Sequence, residues 1–138
     1  IVPQAPYNNQ VTWAGLEDYC RGLVQAGNEL YIISGAFGEG GTLNNGGLQT
    51  TINSGNVTVP AQLWKVIVVL PNGSNDLSRV STSTRVISII LPNDDAVSSD
   101  WKTYRTSVDF IEQATGYDLL SKVSTSIQGT IEARVDNL

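Results

Sequence analysis

Apolar side chains near the start of the chain recur with the period of an α-helix. At 100° per residue, five of them fall within about 100° of one another and form one face. They are Trp13, Leu16, Cys20, Leu23 and Val24. Gly27 then supplies a stop signal, so the pattern predicts an amphipathic helix from about Val11 to Ala26, with Cys20 buried.

Three later runs are rich in β-branched apolar residues and predict strands. They are Leu30–Gly35, Leu63–Leu70 and Arg85–Leu91, and the simplest sheet is a meander of the three. The segment from residue 37 to 56 is dominated by Gly, Asn and Thr, which predicts a loop or a loose hairpin.

A short helix is predicted late in the chain, from Val108 to Thr115. Thr106 or Ser107 can cap its start, and Gly116 stands just beyond its end. The apolar residues of 124–138 recur every four positions, so this last segment is weakly amphipathic.

The amino-acid composition restricts the possible chemistry of the chain more than it restricts the possible folds. The 138 residues carry a net charge of −5, with no His, no Met and one Cys, a size that fits one domain or part of one. The absence of His excludes a Ser-His-Asp triad, a Cys-His pair and a His-ligated zinc within this chain. No apolar run approaches the ~20 residues of a membrane span. The acidic balance disfavours nucleic-acid binding by bulk charge. Because the chain starts at Ile1 and has no Met, we expect that a segment was removed from its front.

Polar residues on the first helix are the main candidates for chemistry. Asn9, Trp13, Glu17 and Arg21 recur every four residues along one ridge. An amide oxygen can bind a hard metal ion, a carboxylate can hold metal-bound water, and a guanidinium can neutralise a phosphoryl group. The same spacing is more commonly that of an Asn cap followed by a surface ion pair. Such an ion pair stabilises a helix by ~0.3–0.5 kcal/mol.

Other candidates are weaker. Asp94 and Asp95 can form a calcium site, but a solvated turn is the commoner arrangement. Trp64 and Trp101 fit a core, although aromatic residues on a sheet can also stack a sugar or a base.

Four ordered segments of the chain resemble the DNA/RNA non-specific endonucleases of the ββα-metal class. They are Ile1-Val2-Pro3-Gln4 with Asn9-Gln10-x-x-Trp13-x-x-Leu16-Glu17-x-x-x-Arg21, then Tyr31-x-Ile33-x-Gly35, then Val59-Pro60-x-x-Leu63-Trp64-Lys65-Val66-Ile67, and finally Arg105-Thr106-Ser107-Val108-Asp109-x-Ile111-Glu112-x-x-Thr115-Gly116. The resemblance implies an α+β, ββα-metal fold with an antiparallel sheet flanked by helices. It also implies that residues 1–138 are the C-terminal portion of one endonuclease domain.

The resemblance assigns roles to residues of the first helix and the segment before it. In the family an Asn amide holds one Mg²⁺ (alternatively Mn²⁺), and Asn9 matches that position. Glu17 matches the carboxylate that hydrogen-bonds metal-bound water, and Gln4 matches a supporting polar position. Arg21 matches an Arg that contacts the nucleic acid and stabilises the transition state. The implied activity is hydrolysis of phosphodiester bonds in DNA and RNA.

One family element is not in this sequence. The general base of the family is the His of an Asp-Arg-Gly-His motif, and this chain has neither that motif nor any His. We therefore expect a companion N-terminal segment that carries the motif, as a separate chain or lost, and that adds strands beside Leu63–Leu70. The chain alone is expected to be incomplete and inactive. We expect the protein to be secreted or periplasmic and to have no membrane partner. The sequence leaves open whether it forms a homodimer.

Two other functions fit the same sequence. The first is a non-catalytic nucleic-acid- or protein-binding module built on half of a nuclease fold. The second is an extracellular β-rich domain that binds sugars through Trp64 or Trp101. Binding without metal-dependent cleavage distinguishes the first, and a glycan-binding screen tests the second.

Overall fold

A computed structural model describes residues 2–43 and 47–138. The first helix begins with a π-helical turn, Asn8–Trp13, and continues as α1, Ala14–Gln25. Three shorter α-helices follow in the described residues, namely α2, Asp76–Arg79, α3, Val108–Thr115, and α4, Thr125–Ile131, and a 3-10 helix spans Trp101–Tyr104. The strands are β1, Asn28–Phe37, β2, Gly41–Leu43, β3, Gly47–Gln49, β4, Thr51–Ile52, β5, Val57–Thr58, β6, Gln62–Pro71, β7, Arg85–Pro92, and β8, Arg105–Thr106.

The main sheet has the order β1-β6-β7-β8, and all its neighbouring strands are antiparallel. Ile32 of β1 pairs with Ile67 of β6, which pairs in turn with Ile87 of β7. The predicted meander of three strands is therefore confirmed, and β8 extends it by a short fourth strand.

The prediction that companion strands lie beside Leu63–Leu70 is wrong. Strand β6 already has β1 on one side and β7 on the other, so both of its edges are occupied. In the part of the chain that the structure describes, the sheet edges without a neighbouring strand are the outer edges of β1 and β8, and β1 is much the longer of these two strands.

The sheet separates two apolar clusters. On one face, α1 packs Leu16 and Cys20 against Ile67 and other buried residues. On the other face, Val108 and Ile111 of α3 and Ile131 of α4 pack with the alternate residues of β6. This two-sided packing confirms an antiparallel sheet flanked by helices. Trp64 and Trp101 are both buried, as a core role predicts.

Local signals predicted the late helix well. Helix α3 spans Val108–Thr115, the Ser107 hydroxyl accepts a hydrogen bond from the Phe110 N–H, and Gly116 adopts a left-handed conformation with φ of 78°. The segment 37–56, predicted as a loop or a loose hairpin, forms two small hairpins together with the two residues that follow it, namely β2–β3 and β4–β5. The part of that prediction that falls on residues 44–46 lies outside the described residues.

Each described helix is too short or too polar to cross a lipid bilayer.

Candidate metal and nucleic-acid site

A cleft of about 150 Å³ lies between the start of the first helix and strands β1 and β6. Three of the four predicted site residues line it, namely Gln4, Asn9 and Glu17. Its other walls are Val2, Trp13, Ser34, Gly35, Leu63, Trp64 and Lys65. The cleft thus combines oxygen-bearing side chains with one ammonium group and the indole ring of Trp13.

The segment that carries Gln4 is fixed by the buried side chain of Asn93. Its Oδ1 accepts a hydrogen bond from the Ala5 N–H at 2.7 Å, and its Nδ2 donates to the carbonyl oxygens of Pro3 at 3.0 Å and Pro60 at 2.9 Å. Asn93 is 1% exposed, so these bonds form away from water. The Asn93 amide therefore holds residues 2–5, the extended lead-in segment, against the end of β7.

The first turn of the helix is attached to the loop after β7. The buried Asn8 side chain donates to the Pro92 carbonyl at 2.8 Å, and the Thr12 hydroxyl donates to the Ser98 carbonyl at 2.8 Å. Asp95 accepts a hydrogen bond from the Tyr7 N–H at 2.7 Å. Asp94 accepts a hydrogen bond from the Ala96 N–H, so the Asp94-Asp95 pair forms a turn, which is the commoner of the two arrangements considered above. Through Asp95, the same turn also anchors the start of the helix.

Asn9 presents an exposed side chain to the cleft. Its backbone N–H donates to the Ala5 carbonyl at 3.0 Å, because the helix starts earlier in the chain than the predicted Val11. The Asn9 amide also does not cap the helix, because the capping position is Tyr7 and lacks a side-chain bond. Within residues 2–43 and 47–138, the Asn9 amide has no hydrogen-bond partner and is available to a ligand.

Glu17 links two cations. Its Oε1 lies 3.3 Å from Lys65 Nζ, and its Oε2 lies 3.9 Å from Arg21 Nη2. The Lys65 ammonium also lies 4.5 Å from the centroid of the Trp13 ring, which is a cation–π contact. Trp13 is 3% exposed, so this contact places the lysine over a fixed wall of the cleft.

Arg21 lies one helical turn beyond the cleft. It lines a neighbouring groove of about 570 Å³ with Glu17 and Lys65, and its guanidinium pairs with the carboxylate of Asp18 as well as that of Glu17. Its side chain is 64% exposed. Glu17 and Arg21 thus do form the surface ion pair that the alternative interpretation predicts. Because the Arg21 side chain is exposed, its guanidinium can also reach a ligand.

One buried polar atom in the cleft, the acceptor Gln4 Oε1, lacks a partner within the described part of the chain. A buried acceptor without a partner costs about 1–3 kcal/mol, so this oxygen is suited to a polar ligand. The Trp64 ring packs on the other face of the sheet beside Tyr117, and Gly35 leaves room for it, because a Cβ atom there would lie 2.4 Å from Trp64 Cζ2.

The oxygen donors of the cleft fit a hydrated hard cation. Asn9 offers an amide oxygen, Glu17 a carboxylate, and Gln4 an unpaired amide oxygen suited to accept from a metal-bound water. No thiolate joins them. Cys20 lies in the core beneath the helix, and burial raises the pKa of its thiol, so it stays protonated.

This architecture belongs to a known class. The sequence model of the DNA/RNA non-specific endonuclease family matches residues 1–126, and the chain belongs to that family. A nuclease from Nostoc sp. is 47% identical over 137 residues, which are 99% of this chain and 47% of that protein. Nuclease C1 from Cunninghamella echinulata is 30% identical over 129 residues, which are 89% of this chain and 47% of that protein. The chain therefore spans about half the length of these relatives.

The fold is that of the same class. A chain from the crystal structure of the EndoG/EndoGI complex matches with a TM-score of 0.67 over 98% of this chain and 54% of that one. Its sequence identity is 20%, so this likeness concerns the fold. It confirms the expected ββα-metal architecture.

Sequence reasoning did not single out two contributors to the site. Lys65 is predicted only as part of a matching strand, and Asn93 only as the residue before the Asp94-Asp95 turn. A signal for Lys65 was present, because it interrupts a run of seven apolar residues from Leu63 to Leu70. The importance of Asn93 had no local signal, since its partners Pro3 and Ala5 lie about 90 residues away in the chain.

Proposed function

We propose that this chain is the metal-site portion of a Mg²⁺-dependent endonuclease that hydrolyses phosphodiester bonds of both DNA and RNA. The observation that carries the proposal is the convergence of Gln4, Asn9 and Glu17 on one cleft beside Lys65. Contacts from such groups go to phosphate and metal-bound water, and neither distinguishes one base from another. The lack of sequence choice implied by the family description follows from this chemistry.

Each side chain has a defined task in the proposed reaction. The Asn9 amide oxygen would hold the metal, while Gln4 Oε1 and the Glu17 carboxylate would accept hydrogen bonds from its waters. When bound, Mg²⁺ (alternatively Mn²⁺) supplies positive charge that stabilises the phosphoryl oxygens and the leaving oxygen. Arg21 neutralises charge on the phosphoryl group and contacts the nucleic acid, and Glu17 orients both this guanidinium and the Lys65 ammonium.

The general base must come from outside these 138 residues. The chain has no His, and its relatives are about twice as long. We propose that a companion segment with an Asp-Arg-Gly-His motif supplies the His that deprotonates the attacking water. On this basis, the 138-residue chain alone does not cleave nucleic acid.

We further propose that the companion segment adds a strand to the outer edge of β1. The side chains of Tyr31, Ile32 and Ile33 are 47%, 51% and 36% exposed, so this edge is apolar on both of its faces. A long, unpaired apolar edge is a site for strand pairing. In the full-length protein, amide hydrogen exchange is expected to show protection at successive residues of β1. Protection at alternate residues only, as pairing with β6 alone gives, contradicts this docking.

The activity is tested in the full-length protein with Asn9→Ala. Removal of the ligand oxygen is expected to lower cleavage of plasmid DNA and of RNA by at least a hundredfold at saturating Mg²⁺. Asn137→Ala removes the same group from an exposed position and serves as the matched control. Excess EDTA is expected to abolish cleavage by the unmodified protein.

Two results would contradict the proposal. Near-normal cleavage by the Asn9→Ala protein removes Asn9 from the metal site. Retained nucleic-acid binding with no Mg²⁺-dependent cleavage in the unmodified full-length protein favours the alternative, a non-catalytic binding module. The expected secreted or periplasmic location stays a prediction, and the name of one relative, nuclease EXOG of Xenopus laevis, describes that protein as mitochondrial.

A further inference from the structure

Three carboxylates converge at the junction of α3 and α4, among residues that the proposed nuclease function does not use. Asp109 and Glu112 come from α3, and Glu132 follows the last residue of α4. One oxygen of each lies within 4.8 Å of the oxygens of the other two.

Backbone and core contacts hold these like charges together. The Asp109 N–H donates to the Glu132 carbonyl at 3.1 Å, and the Leu119 N–H donates to Glu112 Oε1 at 2.6 Å. Ile111 and Ile131, beside these residues in the chain, are fully buried in one apolar cluster. The packing of α3 against α4 therefore fixes the backbone positions of the three acidic residues relative to one another.

Glu132 gives independent evidence that a ligand belongs at this junction. Its residue is 8% exposed, and its Oε1 has no hydrogen-bond partner among residues 2–43 and 47–138. Burial, reinforced by the charges of Glu112, Asp109 and Asp118, raises the pKa of the Glu132 carboxyl to about 7. Within the described residues, no Lys or Arg forms an ion pair with any of the three cluster carboxylates. A buried carboxylate surrounded only by like charges is unfavourable unless a proton or a cation neutralises it, and a cation can neutralise all three carboxylates at once.

We propose that Asp109, Glu112 and Glu132 form a divalent-cation site, separate from the nuclease cleft, that binds Ca²⁺ and joins α3 to α4. All the donors are carboxylate oxygens, which hard cations prefer. Three equally spaced oxygens that share one ion lie at most about 4.0–4.5 Å apart at Ca–O distances of about 2.3–2.6 Å, and at most about 3.5–3.6 Å apart at Mg–O distances of about 2.0–2.1 Å. The upper limit of 4.8 Å on the three separations is close to the value for Ca²⁺.

The site is tested by calcium titration of the full-length protein carrying Asn9→Ala, which removes the proposed nuclease ligand. Isothermal titration calorimetry with CaCl₂ in chelator-treated buffer is expected to give one Ca²⁺ per chain. Adding Asp109→Asn or Glu132→Gln is expected to weaken binding at least tenfold, because each removes one ligand charge. Adding Glu39→Gln, which removes an exposed carboxylate elsewhere, is expected to leave binding unchanged.

Thermal unfolding supplies a second readout. CaCl₂ is expected to raise the Tm of the Asn9→Ala protein and of its Glu39→Gln derivative, because a ligand bound only to the folded state stabilises it. It should not raise the Tm of the Asp109→Asn derivative. Asp109 is exposed, so this variant retains the fold even if Glu132→Gln does not. Absence of calcium binding by the Asn9→Ala protein, or binding that Asp109→Asn leaves unchanged, overturns the proposal.

Discussion

The buried amide of Asn93 gives a sharp test of how the cleft is positioned. Replacing it by Ala removes three hydrogen bonds, those to the Ala5 N–H and to the carbonyls of Pro3 and Pro60. Each bond contributes a net ~0.5–1.5 kcal/mol, so the loss amounts to about 3 kcal/mol of unfolding free energy. For a chain of this size the corresponding fall in Tm is roughly 10 °C.

The assay is urea unfolding followed by tryptophan fluorescence, with hydrogen exchange at Ala5 as the local readout. Asn93→Ala is expected to shift the unfolding midpoint and to expose the Ala5 amide to exchange. Asn137→Ala deletes the same group from an exposed position, and its effect should stay within about 0.5 kcal/mol.

A second substitution distinguishes the effect of the accepting Oδ1 of Asn93 from that of its donating Nδ2. Asn93→Asp keeps the oxygen that accepts from Ala5 but places a second oxygen against the carbonyls of Pro3 and Pro60. We expect it to be at least as destabilising as Asn93→Ala, because a buried charge gains two repulsive contacts. A loss below about 1 kcal/mol for both variants would refute the assignment of Asn93 as the anchor of the lead-in segment.

Three further predictions follow from single contacts. Gly35→Ala is expected to lower the unfolding free energy by ~1–3 kcal/mol, because the new Cβ meets the buried Trp64 ring; an unchanged urea midpoint contradicts this. Burial disfavours the charged form of Asp136, but the hydrogen bonds and charge of Arg85 hold the pKa of this carboxyl below its usual range. Its stabilising effect is therefore full above about pH 4 and is lost as pH falls through the lowered pKa, so urea midpoints of Asp136→Asn and the unmodified protein should differ at pH 7 and converge in acid. Lys65→Met is expected to slow cleavage by the full-length protein at least tenfold while changing stability by less than about 1 kcal/mol, and an unaltered rate would remove the ammonium from the site.

The elements that local patterns specify were predictable. Strands β6 and β7 are rich in β-branched residues, and α3 carries both a Ser cap and a Gly stop. Each of these elements is therefore predicted by its own sequence. The π-helical turn at Asn8–Trp13 has no such signal. A ridge computed at 100° per residue assumes regular α-helix, and the wider turn changes the direction of Asn9 relative to Glu17.

The cleft itself depends on long-range order that a single sequence does not display. Gln4 reaches it because Asn93 holds the lead-in segment, and Lys65 reaches it because β6 pairs in a register that sets Lys65 opposite Ser34. Since side chains alternate across a strand, a shift of one residue would turn the ammonium away from Glu17 and bring an apolar side chain to its place. The chemistry of the site therefore rests as much on the register of β6 and on one buried amide as on the helix that bears its most recognisable residues.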